Sequence, residues 1–202
     1  MFGVRLPLSV VPLLTVEPYF AKTTGGDKKQ DVGGSTFTRS GIDPALIDDV
    51  VNKIISEQFD FACNRLPPPW NRTYPIGLDT EVCTFAALER AWKEAKEPQH
   101  REHVMPYFYE GVKLITDNRS LQTGISPRGF NIALLNHTTD FGDYRWTVDT
   151  PEDLEFMRQV YTRFDGRDDF TWKEVLDLVH DEPKLMEINA GVKHNTLKDI
   201  DK

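Results

Sequence analysis

Apolar residues recur at helical spacing in several stretches of the chain after residue 40. Asp43 followed by Pro44 is typical of a helix N-cap and first turn, and apolar residues three and four positions apart continue from Leu46 to Ile55. We predict four further helices: one after Thr84, one over Arg101–Tyr109, one after Thr150 and one after Thr171. The chain after residue 40 is therefore expected to be rich in helices.

Two of these helices carry apolar stripes that predict which side faces the core. The stripe after Thr84 consists of Phe85, Leu88, Trp92 and Ala95. The stripe after Thr150 consists of Leu154, Met157, Tyr161 and Phe164. Because side chains three or four positions apart lie on the same side of a helix, we expect both sets to be buried.

Short apolar runs between the helices predict strands. We predict them over Phe59–Cys63, Ile132–Leu135 and Trp146–Val148. Between Gly77 and Thr84 the residues alternate in a strand-like way, which places Asp79 and Glu81 on the same side. Strands that alternate with helices predict an α/β layer fold.

Residues 1–40 differ from the rest of the chain. They carry five basic and three acidic residues, whereas residues 41–202 carry 19 basic and 29 acidic ones. Glycine pairs within Lys22–Ser40 predict a flexible segment. The apolar run Leu6–Val16 is interrupted by prolines, so we expect a strand or a loosely packed segment there rather than a signal peptide. We therefore divide the chain into an atypical segment, 1–40, and one domain, 41–202.

Composition excludes several classes of protein. The 202 residues are 39% hydrophobic and 28% charged, as in soluble globular proteins, and no apolar run reaches the length of a membrane span. A net charge of −8 argues against nucleic-acid binding. The two cysteines, Cys63 and Cys83, fit a reducing cytoplasm and are expected to be buried small hydrophobes.

The stretch RWTVDTPEDLEF, residues 145–156, combines a predicted strand end with a clearly marked helix start over 150–153. Asp149 lies between the two, where ligands of open α/β sheets gather. Its carboxylate is well placed to hold Mg²⁺ beside a nucleoside triphosphate. The structural alternative is that Asp149 assists the cap and Arg145 pairs with a surface acid.

The stretch YPIGLDTEV, residues 74–82, is the second candidate site. Gly77 permits close backbone approach, and the carboxylates of Asp79 and Glu81 can accept hydrogen bonds from sugar hydroxyls. An edge strand with one solvated face would have the same pattern, and the sequence does not decide between the two.

The stretch HREHV, residues 100–104, places two histidines three positions apart. The zinc-protease pattern needs them four apart with a glutamate after the first, so we do not expect zinc here. Arg101 and His103 are candidate donors to an anion, and the alternative is that Arg101 and Glu102 form an exposed ion pair.

Taken in order, five segments resemble the cytidylyltransferase-like family. They are DFACNRL (60–66), YPIGLDTEV (74–82), FAALERAWKEA (85–95), EPQHREHVMPYF (97–108) and RWTVDTPEDLEF (145–156). The likeness is strongest to the spore-coat polysaccharide biosynthesis protein F branch, relatives of CMP-sialic acid and CMP-octulosonate synthetases. It implies a Rossmann-like nucleotide-diphospho-sugar transferase fold. It also implies transfer of a cytidylyl group from CTP to a sugar or sugar acid with Mg²⁺.

The resemblance also implies roles for individual residues. Asp149 matches a metal-binding aspartate, and Arg145 matches a basic residue beside the metal. The residues that match the substrate pocket are Gly77, Asp79, Glu81, Arg101, Glu102 and His103. We therefore expect Asp149 to face the same cleft as Asp79 and Glu81. A homodimer is implied as well, although the sequence carries no interface signal of its own.

The front of the chain departs from the family pattern. Residues 1–40 contain no match to the Gly- and Arg-rich loop that holds the triphosphate, and Thr147 replaces the first aspartate of an Asp-x-Asp pair. We therefore expect the C-terminal two-thirds of such an enzyme, an N-terminally truncated fold with weak or absent transferase activity. The alternatives are a non-catalytic sugar-binding or subunit-interaction protein that keeps the scaffold, and a marginally stable defective product.

Overall fold

The computed structural model describes residues 10–11, 43–67, 72–118, 120–167 and 169–192. Apart from a strand at Val10–Val11, the predictions for residues 1–40 lie outside these ranges, as does the boundary at residue 40. The chain divides into two compact units. Of the described residues, unit 1 contains 10–11, 44–67, 72–75, 79–118 and 120–142, and unit 2 contains 43, 76–78, 143–167 and 169–192.

Unit 1 contains a six-stranded sheet with the order β1-β3-β2-β6-β5-β4. The strands are β1 (Val10–Val11), β2 (Phe61–Cys63), β3 (Glu81–Thr84), β4 (Ile115–Asn118), β5 (Leu121–Ile125) and β6 (Asn131–Leu135). Neighbours β2 and β6 run parallel, and the other neighbouring pairs are antiparallel. The predicted strands at 59–63 and 132–135 are confirmed, whereas the strand predicted over 77–84 is shorter and begins at Glu81.

The predicted helices of unit 1 form, with one correction. Its helices are α1 (Pro44–Glu57), α2 (Phe85–Glu94), α3 (Pro98–Glu102) and α4 (Val104–Tyr109). The single helix predicted over Arg101–Tyr109 is wrong, because the backbone leaves helical geometry at His103, with φ −115° and ψ 89°. Pro106 explains the break: inside a continuous helix it would lack an N–H and clash with the preceding turn, whereas in the first turn of α4 it costs nothing.

Both faces of the sheet are covered in unit 1. Buried residues of α1, Val50 and Ile54, pack on one face together with Ala62, Val82, Ala133 and Leu135. The other face packs against α2 and α4, with Phe61, Phe108 and Phe130 at its centre. Successive residues of a strand point to opposite faces, so Phe61 and Ala62 of β2 belong to different core clusters. Helices therefore cover both faces of the sheet, which confirms the α/β layer fold.

The predicted stripe of α2 is wrong for its two largest members. Phe85 is 50% exposed and Trp92 is 65% exposed, while Ala87 and Ala91 are buried. The helix begins directly after the last residue of β3, Thr84, whose side chain caps it by accepting a hydrogen bond from Ala87 N at 3.1 Å. This tight junction brings α2 close to the sheet, and small side chains form the contact.

Unit 2 contains α5 (Pro151–Arg163), α6 (Trp172–Asp181) and a 3-10 helix (Pro183–Glu187). Capping boxes begin both α helices, at Thr150 with Asp153 and at Thr171 with Glu174. The sequence predicts the second box and the hydroxyl cap at Thr150, but not the return hydrogen bonds to Asp153. The inward face of α5 is shifted from the predicted stripe: Phe156 and Val160 are fully buried, and Leu154 is 40% exposed.

The strand predicted over Trp146–Val148 does not form. Ile76 and Arg145 make a single parallel bridge, in which Ile76 N donates to Tyr144 O and Trp146 N donates to Ile76 O, both at 2.7 Å. The pairing stops there because the neighbouring backbone turns at Gly77, whose φ is +106°. No helix in the described parts of the chain is long and apolar enough to cross a membrane.

Candidate functional site

The carboxyl ends of the parallel strands β2 and β6 meet at one edge of the sheet in unit 1. Asn64 and Arg65 follow β2, and Asn136 and His137 follow β6. Strand β3 runs antiparallel to β2, so its amino end, preceded by Thr80, reaches the same edge. Ligands of open α/β sheets bind outside the carboxyl ends of parallel strands, which makes this edge the first candidate site.

Backbone and side-chain hydrogen bonds hold this edge in place. The fully buried Asn64 side chain accepts from Thr80 N at 2.8 Å, and Asn64 N donates to Thr80 O at 3.2 Å. On the β6 side, His137 N donates to Thr73 Oγ1 at 2.7 Å. The residues on either side of the 76–78 segment are thereby fixed to the ends of both parallel strands.

Asp79 lies at this edge between two arginines. Arg72 Nη1 donates to Asp79 Oδ1 at 2.9 Å, and Arg65 Nε lies 3.8 Å from Asp79 Oδ2. Burial lowers the pKa of Arg72, and the charge of Asp79 opposes that shift. The carboxylate of Asp79 thus holds two guanidinium groups at the edge, a role that the strand pattern alone does not reveal.

Glu81 lies at the start of β3, in register with Cys63. Burial, followed by the negative charge of Glu81, raises the pKa of the Cys83 thiol to about 11 and raises the pKa of Cys63 in the same direction. Both cysteines are buried and free, which confirms them as small core residues rather than nucleophiles.

Arg101 lies in the last turn of α3, and His103 is both the C-cap of α3 and the N-cap of α4. Arg101 stacks over the Trp92 ring with its guanidinium carbon 3.7 Å from the ring centroid, and it donates to Trp92 O at 2.9 Å. The side chain of Glu102 lies outside the described structure. His100 is buried, with Nε2 2.9 Å from Glu110 Oε2.

In unit 2, Arg145 is held by two carboxylates. Arg145 Nε and Nη2 donate to the two oxygens of the fully buried Asp153, both at 2.9 Å, and Nη2 also donates to Asp149 Oδ2 at 2.7 Å. Asn189 Nδ2 donates to Asp153 Oδ1 at 3.0 Å and to Arg145 O at 2.9 Å. This cluster ties residues 145–153 to the C-terminal part of unit 2. The pair of Arg145 with the exposed Asp149 matches the structural alternative, in which Arg145 pairs with a surface acid. The pair of Arg145 with the buried Asp153 was not predicted from the sequence.

Asp149 keeps a carboxylate oxygen within reach of a ligand. Its side chain is 43% exposed, and Oδ1 has only a long contact, 3.4 Å, with Thr147 Oγ1. The described residues contain no group of three or more His, Cys, Asp or Glu side chains that could hold a metal ion. Mg²⁺ is commonly held by one or two carboxylates together with substrate phosphates, so a single carboxylate here fits such an ion only with nucleotide bound.

Gly77 lies against the same residues of unit 2. A Cβ atom at this position would be 2.7 Å from Thr147 N and 2.8 Å from Trp146 C. The close backbone approach that the sequence predicts for Gly77 is therefore confirmed, and the neighbour is the chain itself. The expectation that Asp149 shares a cleft with Asp79 and Glu81 stays a prediction, because Asp149 belongs to unit 2 and the other two belong to unit 1.

Unit 1 also contains a cleft of about 340 Å³ that was not predicted from the sequence. It lies at the carboxyl end of β6, and its lining comes from α1, the start of β5 and the segment before residue 76. The lining residues are Asp49, Asn52, Lys53, Ser56, Tyr74, Ser120, Leu121, Leu135 and Asn136. No local motif marks it, because its parts are far apart in the sequence.

No family model matches the chain. An uncharacterized protein of Methanocaldococcus jannaschii is 28% identical over 156 residues, which are 77% of this chain and 56% of that protein. A solved cytidylyltransferase of Leptospira borgpetersenii superposes with a TM-score of 0.58 at 22% identity, over 77% of this chain and 56% of the other. This chain therefore spans about half the length of both relatives. The likeness shows the fold, which is the Rossmann-like nucleotidyltransferase type of that cytidylyltransferase.

Proposed function

We propose that the chain acts in the CTP-dependent activation of a sugar or sugar acid for surface polysaccharide biosynthesis. In this reaction a sugar oxygen attacks the α-phosphorus of CTP, the bond to the β-phosphate breaks, pyrophosphate leaves, and the proton of the sugar hydroxyl passes to solvent. The observation that carries the proposal is the shared fold with a solved cytidylyltransferase over 77% of the chain. Such a displacement needs positioning and charge stabilisation rather than a covalent nucleophile.

The proposal assigns the carboxyl edge of unit 1 to the sugar. Arg65 and Arg72 supply guanidinium N–H groups that would donate to the carboxylate of a sugar acid, while Asp79 orients both groups. Glu81, at the start of β3, completes the assignment on this side, and Gly77, which belongs to unit 2, stays a candidate by resemblance alone. The resemblance also keeps three candidate contacts to the sugar: Arg101, Glu102 and His103. A homodimer and a cytoplasmic location are part of the proposal as well.

The proposal assigns the nucleotide to the residues around Asp149. When bound, Mg²⁺ would neutralise phosphate charge, and Asp149 would hold it through the carboxylate oxygen that Arg145 leaves accessible. Arg145 is a positioning residue in this account, because its hydrogen bonds to Asp149 and Asp153 fix the orientation of the Asp149 carboxylate.

A coupled assay of pyrophosphate release tests the proposal. We expect slow release with CTP, Mg²⁺ and one member of a panel of sugar acids, and much less with ATP, GTP or UTP. Asp149→Asn should abolish this release, whereas Asp143→Asn, which changes an exposed aspartate of the same unit, should leave it unchanged. Release that is independent of the sugar, or equal for all four nucleotides, would contradict the proposal.

A second candidate is a non-catalytic sugar-binding protein on the same scaffold. It is favoured by the pairing of Arg145 with two carboxylates, which leaves that guanidinium no net positive charge to offer a triphosphate. Saturable binding of a sugar acid without any pyrophosphate release would support this candidate. The absence of both binding and release would contradict both functions.

A further inference from the structure

The cleft at the carboxyl end of β6 has an apolar floor and a polar rim. Leu121 and Leu135 are paired across β5 and β6 and form the floor. The rim consists of hydroxyl, amide and charged groups on α1 and of Tyr74, Ser120 and Asn136. Small-molecule sites have volumes of roughly 300–1,000 Å³, so this cleft suits one ring-sized molecule.

The two buried rim residues are held in fixed positions. The Tyr74 ring packs edge-on against His137, with their centroids 5.7 Å apart, and only 9% of Tyr74 is exposed. Asn136 N donates to Ser120 O at 2.9 Å, and Asn136 Oδ1 accepts from Thr73 Oγ1 at 3.4 Å. Since Oδ1 already accepts this hydrogen bond, the donor group Nδ2 is the part of the Asn136 side chain that remains for a ligand.

The charges of the rim select the kind of ligand. Among the described residues that line the cleft, Lys53 is the only basic one, and Lys53 Nζ is already 2.6 Å from Glu57 Oε1. Asp49 adds an exposed carboxylate one turn earlier on α1. Because Lys53 is paired with Glu57 and Asp49 is negative, the described charged groups of the rim do not favour a phosphate or a carboxylate. Its carboxylate, amide and hydroxyl groups are those that exchange hydrogen bonds with sugar hydroxyls.

We propose that this cleft binds one uncharged sugar ring, with Asp49 accepting hydrogen bonds from its hydroxyls, Asn136 donating to it, and Leu121 and Leu135 contacting its apolar face. The binding needs neither nucleotide nor metal, so it holds whether or not the chain transfers a cytidylyl group. It differs from the sugar-acid contacts assigned to Arg65 and Arg72, where guanidinium groups are the donors.

Nuclear magnetic resonance titration of the ¹⁵N-labelled full chain tests this inference. The probes are methyl glycosides of neutral hexoses and of N-acetylhexosamines, and the reporters are the side-chain amide signals of Asn52 and Asn136. We expect saturable shifts of both signals with at least one of these neutral sugars. Inorganic phosphate and CMP, added separately as anionic probes, are expected to leave both signals in place.

Two neighbouring aspartates on α1 provide a matched pair of variants. Both Asp48 and Asp49 are exposed, but only Asp49 lines the cleft. Asp49→Ala should raise the Kd for the sugar by about tenfold or more, because a hydrogen bond to a charged group is lost. Asp48→Ala should bind the sugar with the same affinity as the unchanged chain. Asn52→Ala, at a second exposed position of the rim, provides an independent variant.

Three outcomes would overturn the inference. They are the absence of saturable shifts with every neutral sugar, shifts produced by phosphate or CMP instead, and equal affinity in Asp48→Ala and Asp49→Ala. None of these depends on pyrophosphate release, so failure of this inference is distinguishable from failure of the proposed transferase function.

Discussion

The buried ion pair of unit 2 permits a quantitative prediction. The change is Asp153→Asn, which keeps the size of the side chain and removes its charge. Asp153 is fully buried and accepts from Arg145 twice, from Asn189, and from the backbone N–H groups of Asp149 and Thr150 at 3.2 and 3.1 Å. The variant therefore leaves the guanidinium of Arg145 buried beside a neutral amide.

The expected loss follows from the burial of both partners. Removing one member of a buried pair destabilises a protein by about 3–5 kcal/mol, because the other charge stays uncompensated. The asparagine retains one acceptor oxygen and Arg145 keeps its ion pair with Asp149, so we expect the lower end, about 3 kcal/mol. For a chain of this size that corresponds to a decrease of roughly 6–12 °C in Tm.

Urea unfolding followed by tryptophan fluorescence measures this loss, since the buried Trp146 and Trp172 both report on unit 2. Asp149→Asn is the control: it changes a carboxylate that contacts the same guanidinium but is 43% exposed, and we expect a loss of about 0–1 kcal/mol. If Asp153→Asn lost no more than Asp149→Asn, the argument that burial of this pair sets its energetic weight would be refuted.

The remaining predictions concern pH, backbone geometry and thiol reactivity. Burial tends to raise the pKa of Asp153, but hydrogen bonds from Arg145 and Asn189 outweigh it and lower the pKa below 3.8. The stabilisation from this carboxylate is therefore present above its unfolded-state pKa and is lost as pH falls through the lower native pKa. The difference in urea midpoint between the unchanged chain and Asp153→Asn should therefore narrow as the pH is lowered below 3.8. Gly77→Ala should cost more than about 1 kcal/mol in urea unfolding, while Gly191→Ala, where a Cβ meets no atom within 4 Å, should cost little. Both cysteine thiols are buried, and the pKa of Cys83 is about 11. Neither cysteine should therefore react with a disulfide reagent at neutral pH until urea unfolds the chain. Rapid reaction of the native chain would contradict their burial.

The helices could be predicted where their signals are local. The caps at Thr84, Thr150 and Thr171 act within three residues, and all three form the predicted hydrogen bonds. The hairpin of β4 and β5 was missed because it lacks a contrast between its two faces. Residues of β5 are partly exposed on both sides, and Ile115 and Ile125 are 67% and 66% exposed, so no period of two marks the strands.

The candidate site could be predicted only where its residues are neighbours in the sequence. Asp79, Glu81, Arg145 and Asp149 stand in recognisable motifs, but the partners that determine what they do are remote. Asp79 is held by Arg65, 14 positions earlier, and Asp153 by Asn189, 36 positions later. Local helix signals assign Asp153 to the helix dipole, whereas in the fold it is the buried partner of Arg145.

Formation of a CMP-linked sugar under single-turnover conditions tests the proposed function most directly. With the protein in excess over CTP and with Mg²⁺ and the panel of sugar acids present, even a slow transfer consumes the nucleotide and can be followed by mass spectrometry. The account predicts that a product combining CMP with one sugar acid accumulates as CTP disappears. Unchanged CTP with every sugar acid, in a sample whose native fold has been verified by cooperative unfolding, would contradict it.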